Sequence, residues 1–114
     1  MPSITHYWRN GNAHLVDFDR VNRAALNRLP DLVMSWLPTG RRQGCEWVAK
    51  NPRRNDRNPG SFLVNLKTGR WADFAIDAKG GDVISLAAYL FGTSQADAAR
   101  TIATILNVDW RARL

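Results

Sequence analysis

Between Arg41 and Gly92 the spacing of apolar residues drops to two and then returns to that of a helix. Cys45, Trp47 and Ala49 alternate with Glu46, Val48 and Lys50. Phe62, Val64 and Leu66 alternate with Ser61, Leu63 and Asn65. Alternation of this kind is the signature of a strand with two unlike faces. Lys67-Thr68-Gly69-Arg70 reads as a hairpin turn, with Gly69 suited to a left-handed position, and Trp71-Ala72-Asp73-Phe74 reads as the returning strand. The pattern predicts a small antiparallel three-stranded meander. Asp77-Ala78-Lys79-Gly80-Gly81-Asp82 is the next break. Asp82 or a neighbour then opens a helix carrying Val83, Ile84, Leu86, Ala87, Leu90 and Phe91, which Gly92 closes.

The remainder frames this stretch with helices. Residues 1–16 read as irregular or as a short strand, with a turn at Arg9-Asn10-Gly11-Asn12 and a brief strand at His14-Leu15-Val16. Asp17 or Asp19 is the candidate cap of a helix bearing Val21, Ala24, Ala25 and Leu29. Pro30 breaks or restarts it, and a second helix runs from Asp31 to Leu37. Near the C-terminus, Thr93 or Ser94 caps a helix with Ala98, Ile102, Ile105 and Leu106 as its stripe. Asp109 to Leu114 is expected to dock by Trp110 and otherwise to fray. The expectation is one α+β domain over residues 1–114: a helical part at 1–40, a basic β-meander at 41–79 and helices at 80–114. A chain of 114 residues is long enough for one modest core.

The charge is clustered. The chain carries 16 Lys and Arg against 10 Asp and Glu, and residues 41–79 alone hold nine of the cations and four of the acids. The flanking parts are close to neutral. A clustered basic patch is the electrostatic footprint of a polyanion binder. No apolar run approaches the roughly 20 residues of a membrane helix. The start, MPSITHYWRN, lacks a secretory pattern. A cytoplasmic location with no membrane partner is expected. Cys45 is the single cysteine, so neither an internal disulfide nor a thiolate zinc site is available. No cofactor or metal is expected.

Two segments carry a resemblance. Asn58-Pro59-Gly60-Ser61-Phe62 leads into the second strand, and Gly80-Gly81-Asp82-Val83-Ile84-Ser85-Leu86 opens a helix. With the lead-in Arg41-Arg42-Gln43-Gly44, the pair Asn51-Pro52 and a final helix around Gln95–Leu106, residues 41–106 resemble the zinc-binding, zinc-ribbon domain of bacterial and phage DNA primases. They look most like the degenerate form in primase-like proteins of phages, plasmids and other mobile elements. The resemblance implies a zinc-ribbon-like fold and a template-gripping role in DNA replication. Where the family has its two ligand pairs, this chain has Asn51 and Arg54, then Phe74 and Asp77. None of these is a thiolate or imidazole. The resemblance therefore implies a ribbon without zinc, in which packing of Trp71, Phe74 and their neighbours stands in for the metal.

Catalysis finds no support in the sequence. Asp17 and Asp19 read as helix caps, no phosphate-cradling Gly-x-x-x-x-Gly-Lys occurs, and Cys45 reads as a half-buried strand cysteine. An enzymatic role enters only if the chain is a fragment of a larger primase-like enzyme. The candidate nucleic-acid contacts are Arg41, Arg42, Lys50, Arg53, Arg54, Arg57, Lys67, Arg70 and Lys79, with Trp71 as the candidate for stacking on an unpaired base. Trp47 and Phe62 read as either core or stacking residues. Gly80-Gly81 reads either as an anion site before a helix or as a tight turn. The expected ligand is single-stranded DNA, with a replicative polymerase, primase or helicase as further partner. The alternative is a protein-interaction subunit, or a small phage-type inhibitor, docking on such a complex.

Overall fold

A computed structural model describes residues 15–54 and 60–113. The architecture is α+β. Two helices, α1 (Phe18–Asn27) and α2 (Leu29–Trp36), precede five strands: β1 (Arg41–Gln43), β2 (Glu46–Ala49), β3 (Phe62–Asn65), β4 (Trp71–Asp73) and β5 (Ala78–Gly80). Helices α3 (Val83–Phe91) and α4 (Gln95–Leu106) follow. The strands form one open antiparallel sheet in sequence order.

The sheet has five strands where three were expected: β2, β3 and β4 fall on the segments that read as strands, and a short strand lies at each edge. β1 is Arg-Arg-Gln and exposed throughout. It joins β2 through the two-residue turn Gly44-Cys45, where Gly44 takes φ +63. β5 is Ala-Lys-Gly. Neither edge has an apolar alternation to announce it, and polar edges of this kind resist pairing with other chains. Cys45 lies exposed in the β1–β2 turn, not half-buried in a strand.

The helix boundaries follow local chemistry. The Asp17 carboxylate accepts from the Arg20 N–H at 3.0 Å and caps α1. Pro30 sits in the first turn of α2, where its missing N–H costs nothing. Asp82 caps α3 in a capping box: its carboxylate accepts from the Ser85 N–H at 2.8 Å, and the Ser85 hydroxyl lies 3.4 Å from the Asp82 N–H. Gly92 closes α3 at φ +67. Ser94 caps α4 by accepting from the Asp97 N–H, while Asp97 pairs with Arg100. The tail past α4 does not fray through residue 112. Val16 and Arg111 form a bridge, the Asp17 N–H donates to Trp110 and the Ala112 N–H to Leu15.

One core gathers Val21, Ala25, Leu29 and Val33 from α1 and α2, the inward side of the sheet, and Ile84, Leu86, Ala99 and Ile102 from α3 and α4. Inward are Trp47, Ala49, Phe62, Val64, Trp71 and Asp73, all buried. Phe62 stacks on Trp71 and on Tyr89 of α3, with ring centroids 5.8 and 6.1 Å apart, and so ties sheet to helix. No described helix is long and apolar enough to cross a membrane.

Candidate nucleic-acid interface

Strand alternation sorts the side chains into two sides, and the basic residues separate with them. On the inward side, the β2–β3 loop and β4 meet in a polar knot. The Asp73 carboxylate is fully buried. Its Oδ2 accepts from Arg54 Nε and Asn51 Nδ2, both at 2.8 Å, and its Oδ1 accepts from the Ala75 N–H at 2.9 Å. Arg54 also donates to the Ser61 hydroxyl at 3.0 Å, and Asn51 to the Tyr89 hydroxyl at 2.8 Å. Burial is the largest single influence on Asp73 and disfavours its charge. The Asn51 amide, the Ala75 N–H and the Arg54 guanidinium together outweigh it and hold the carboxyl below its usual range.

The knot bears on the resemblance directly. Asn51 and Arg54, which the resemblance would set at one ligand pair, converge on Asp73, which immediately precedes Phe74. Phe74 itself is 73% exposed, and Asp77 is exposed in the β4–β5 turn. The packing expected of Phe74 in place of a metal is therefore absent. An ion pair between half-buried Arg54 and fully buried Asp73, with hydrogen-bonded flanks, occupies that corner of the fold. Trp71 does pack there, against Phe62 and Tyr89.

Trp71 is accordingly corrected as a stacking residue. It is 5% exposed, and its indole N–H donates to the Ser85 hydroxyl at 2.9 Å. Trp47 donates to the Leu37 carbonyl at 3.0 Å and Phe62 has no exposed surface, so both belong to the core. The Gly80-Gly81 anion site is also taken up by the fold. The Ile84 N–H donates to Asn22 Oδ1 and the Ser85 N–H to Asp82, leaving the start of α3 already capped. Gly80 pairs across from Trp71, and a Cβ there would collide with the Trp71 indole and the Ser85 hydroxyl.

The loop arginines are used by the fold as well. Arg53 donates to the Tyr89 carbonyl at 2.8 Å, near the C-terminal end of α3, with its guanidinium over the Tyr89 ring. Arg54 is in the knot. Arg57 lies outside the described residues. Lys50 is half-buried and lines a pocket of about 220 Å³ with Trp36, Pro38, Pro52 and Arg54. Arg42, on the Trp47 side of the sheet edge, folds back to the Gly44 carbonyl.

The outward side is different. Leu63, Ala72 and Lys79 form one cross-strand row, extended through Val48 to Arg41 at the edge. Glu46 pairs with Asn65 in the next row, and the Asn65 N–H donates to the Arg70 carbonyl at 2.7 Å. These rows frame an open groove of about 650 Å³, lined by Glu46, Leu63, Asn65, Arg70, Phe74 and Lys79 among others. Among the described residues, the side chains of Arg41, Arg70 and Lys79 form no ion pair, whereas Arg20, Arg28, Arg54, Arg100 and Arg111 each have an aspartate partner. Lys67 is exposed in the adjoining hairpin turn. Sequence reasoning named Arg41, Arg70 and Lys79 but missed Phe74, Glu46 and Asn65. Strand parity carried the signal for Asn65 and Glu46, since each alternates with a core residue.

The arrangement offers an apolar floor, an exposed aromatic ring, and cations at the rim that form no ion pair among the described residues, with the Glu46 carboxylate in the same groove. No group of three or more metal-ligating side chains occurs among the described residues. A scan against protein-family models and a search of curated proteins find no match to this chain.

Proposed function

We propose that this protein binds single-stranded nucleic acid, single-stranded DNA in the first instance, across the outward side of its sheet. The observation that carries the reading is the groove in which exposed Phe74 stands beside Arg70 and Lys79, cations with no acidic partner among the described residues. An aromatic face stacks on any base, and a basic rim follows the phosphates; together they make a sequence-tolerant single-strand site. The primase-like resemblance of residues 41–106 supports the same class of ligand and a role in replication of a phage or mobile element. Arg53 and Arg54 are engaged by the Tyr89 carbonyl and Asp73, and the phosphate contacts fall to Arg41, Arg70 and Lys79, with Lys67 alongside.

Titrating a labelled oligodeoxythymidine at several salt concentrations tests this. Each cation that meets a phosphate adds about 0.7 to the slope of log K against log salt for a single strand, so replacing Arg41, Arg70 and Lys79 together by alanine should reduce it by about 2. An unchanged slope would remove these residues from the interface. Absence of binding at low salt would favour the second reading, a protein-docking subunit or inhibitor. For that reading the relevant surface is Phe91, 39% exposed, packed edge-on against Trp36.

A further inference from the structure

Glu46 is the only glutamate of the chain, and it stands on the basic side of the sheet. Among the described residues its side chain has no ion pair or hydrogen-bond partner. A carboxylate there would repel phosphate but can accept from the N–H groups of a base. Its cross-strand neighbour, Asn65, has a fixed amide orientation. Asn65 Oδ1 accepts from the Lys67 N–H at 2.9 Å and the Thr68 N–H at 3.1 Å, which leaves its NH₂ as the group able to donate. Paired residues on adjacent strands lie about 5 Å apart. An acceptor with two oxygens therefore stands beside a donor, at the groove whose rim carries Phe74, Arg70 and Lys79.

We propose that the groove selects guanine, an assignment that rests on single-strand binding at this site. The Watson–Crick edge of guanine presents O6, N1–H and N2–H in that order. Asn65 donates to O6, while the two carboxylate oxygens of Glu46 accept from N1–H and N2–H. Adenine, cytosine and thymine each offer an edge that leaves one of these partners unmatched. Phe74 stacks on the base, and Arg70 and Lys79 take the adjoining phosphates.

The test measures affinity of the whole protein for oligodeoxythymidines with one central guanine, adenine, cytosine, inosine or thymine. A bidentate base contact predicts that the guanine oligomer binds about ten-fold tighter than those with adenine, cytosine or thymine. Inosine, which lacks the N2 amino group, should fall between. Glu46→Gln replaces one acceptor by a donor, so the ratio of guanine-oligomer to all-thymine-oligomer affinity should fall to about one, whatever the variant does to the overall strength of binding. If that variant does not fold, the inosine comparison on the unaltered protein still decides. Equal affinity for all five oligomers overturns the guanine assignment and leaves single-strand binding standing. No binding to any of them overturns both. Free guanosine monophosphate is the competitor that separates the sources: weak competition supports guanine within a strand, and competition as strong as the guanine oligomer itself overturns the strand as the source.

Discussion

Replacing Asp73 by alanine should destabilise the protein by about 4 kcal/mol, because its fully buried carboxylate is the shared acceptor of Arg54, Asn51 and the Ala75 N–H. On a chain of this length that corresponds to a fall in melting temperature of about 15 °C. Arg54 would lose its hydrogen bonds to Asp73 and retain the one to Ser61, and Asn51 would lose Asp73 and retain the one to the Tyr89 hydroxyl. Arg54→Ala should cost a comparable amount, since it leaves the Asp73 carboxylate buried and short of a counter-charge. The Arg54→Ala/Asp73→Ala double variant should cost clearly less than the sum, as expected when removal of one partner does most of the harm. Strict additivity in thermal or urea melts would show that the two residues do not act together. The pH dependence has a definite sign. Asp73 has its carboxyl lowered in the folded state, so its contribution is complete above the usual carboxylate value near about pH 4 and is lost as pH falls through the lowered native value. Asp73→Asn should lack that acid-induced component.

Phe62→Ala is expected to cost about 4 kcal/mol, in the range for a fully buried aromatic. Phe62 has no exposed surface and lies between Ala49 and Asp73 in the sheet. Its ring stacks on Trp71 and Tyr89, the same tyrosine whose hydroxyl accepts from Asn51. Truncating it would empty the space between sheet and α3 and loosen the knot next to it. Urea denaturation gives the cost directly. A cost below about 1 kcal/mol would mean that the site collapses freely and that Phe62 is not the joint between sheet and helix. Phe62→Leu, which keeps most of the apolar volume, should recover much of the difference.

The central strands were legible because each has one apolar side: Phe62 and Val64 alternate with Leu63 and Asn65, and burial follows that alternation. The caps were legible because Asp17, Asp82 and Ser94 satisfy free N–H groups within their own turn, a local event. The edge strands were not. Arg41-Arg42-Gln43 has no apolar residue to bury, and its pairing depends on Gly44 turning the chain back on itself. The fate of Trp71 was hidden for a related reason. An indole beside Arg70 in sequence fits a stacking residue, and only the register, which sets Gly80 across from it and Ser85 within reach, puts it in the core. Arg54 shows the opposite error. In a polar loop it reads as a phosphate contact, but its partner is an aspartate 19 residues away. Charge clustering marks the basic segment in the sequence. Which of its cations face inward is a matter of register and loop conformation, which composition does not encode.

The assignment of the outward sheet side as the nucleic-acid surface is tested most directly by following backbone amide and Phe74 ring resonances while an oligodeoxythymidine is added. Binding across that side should produce progressive shifts at Glu46, Leu63, Asn65, Arg70, Ala72 and Lys79, with the Phe74 ring moving upfield as a base stacks on it. Shifts confined to α1, α2 and α4, or a spectrum unchanged at low salt, would contradict it.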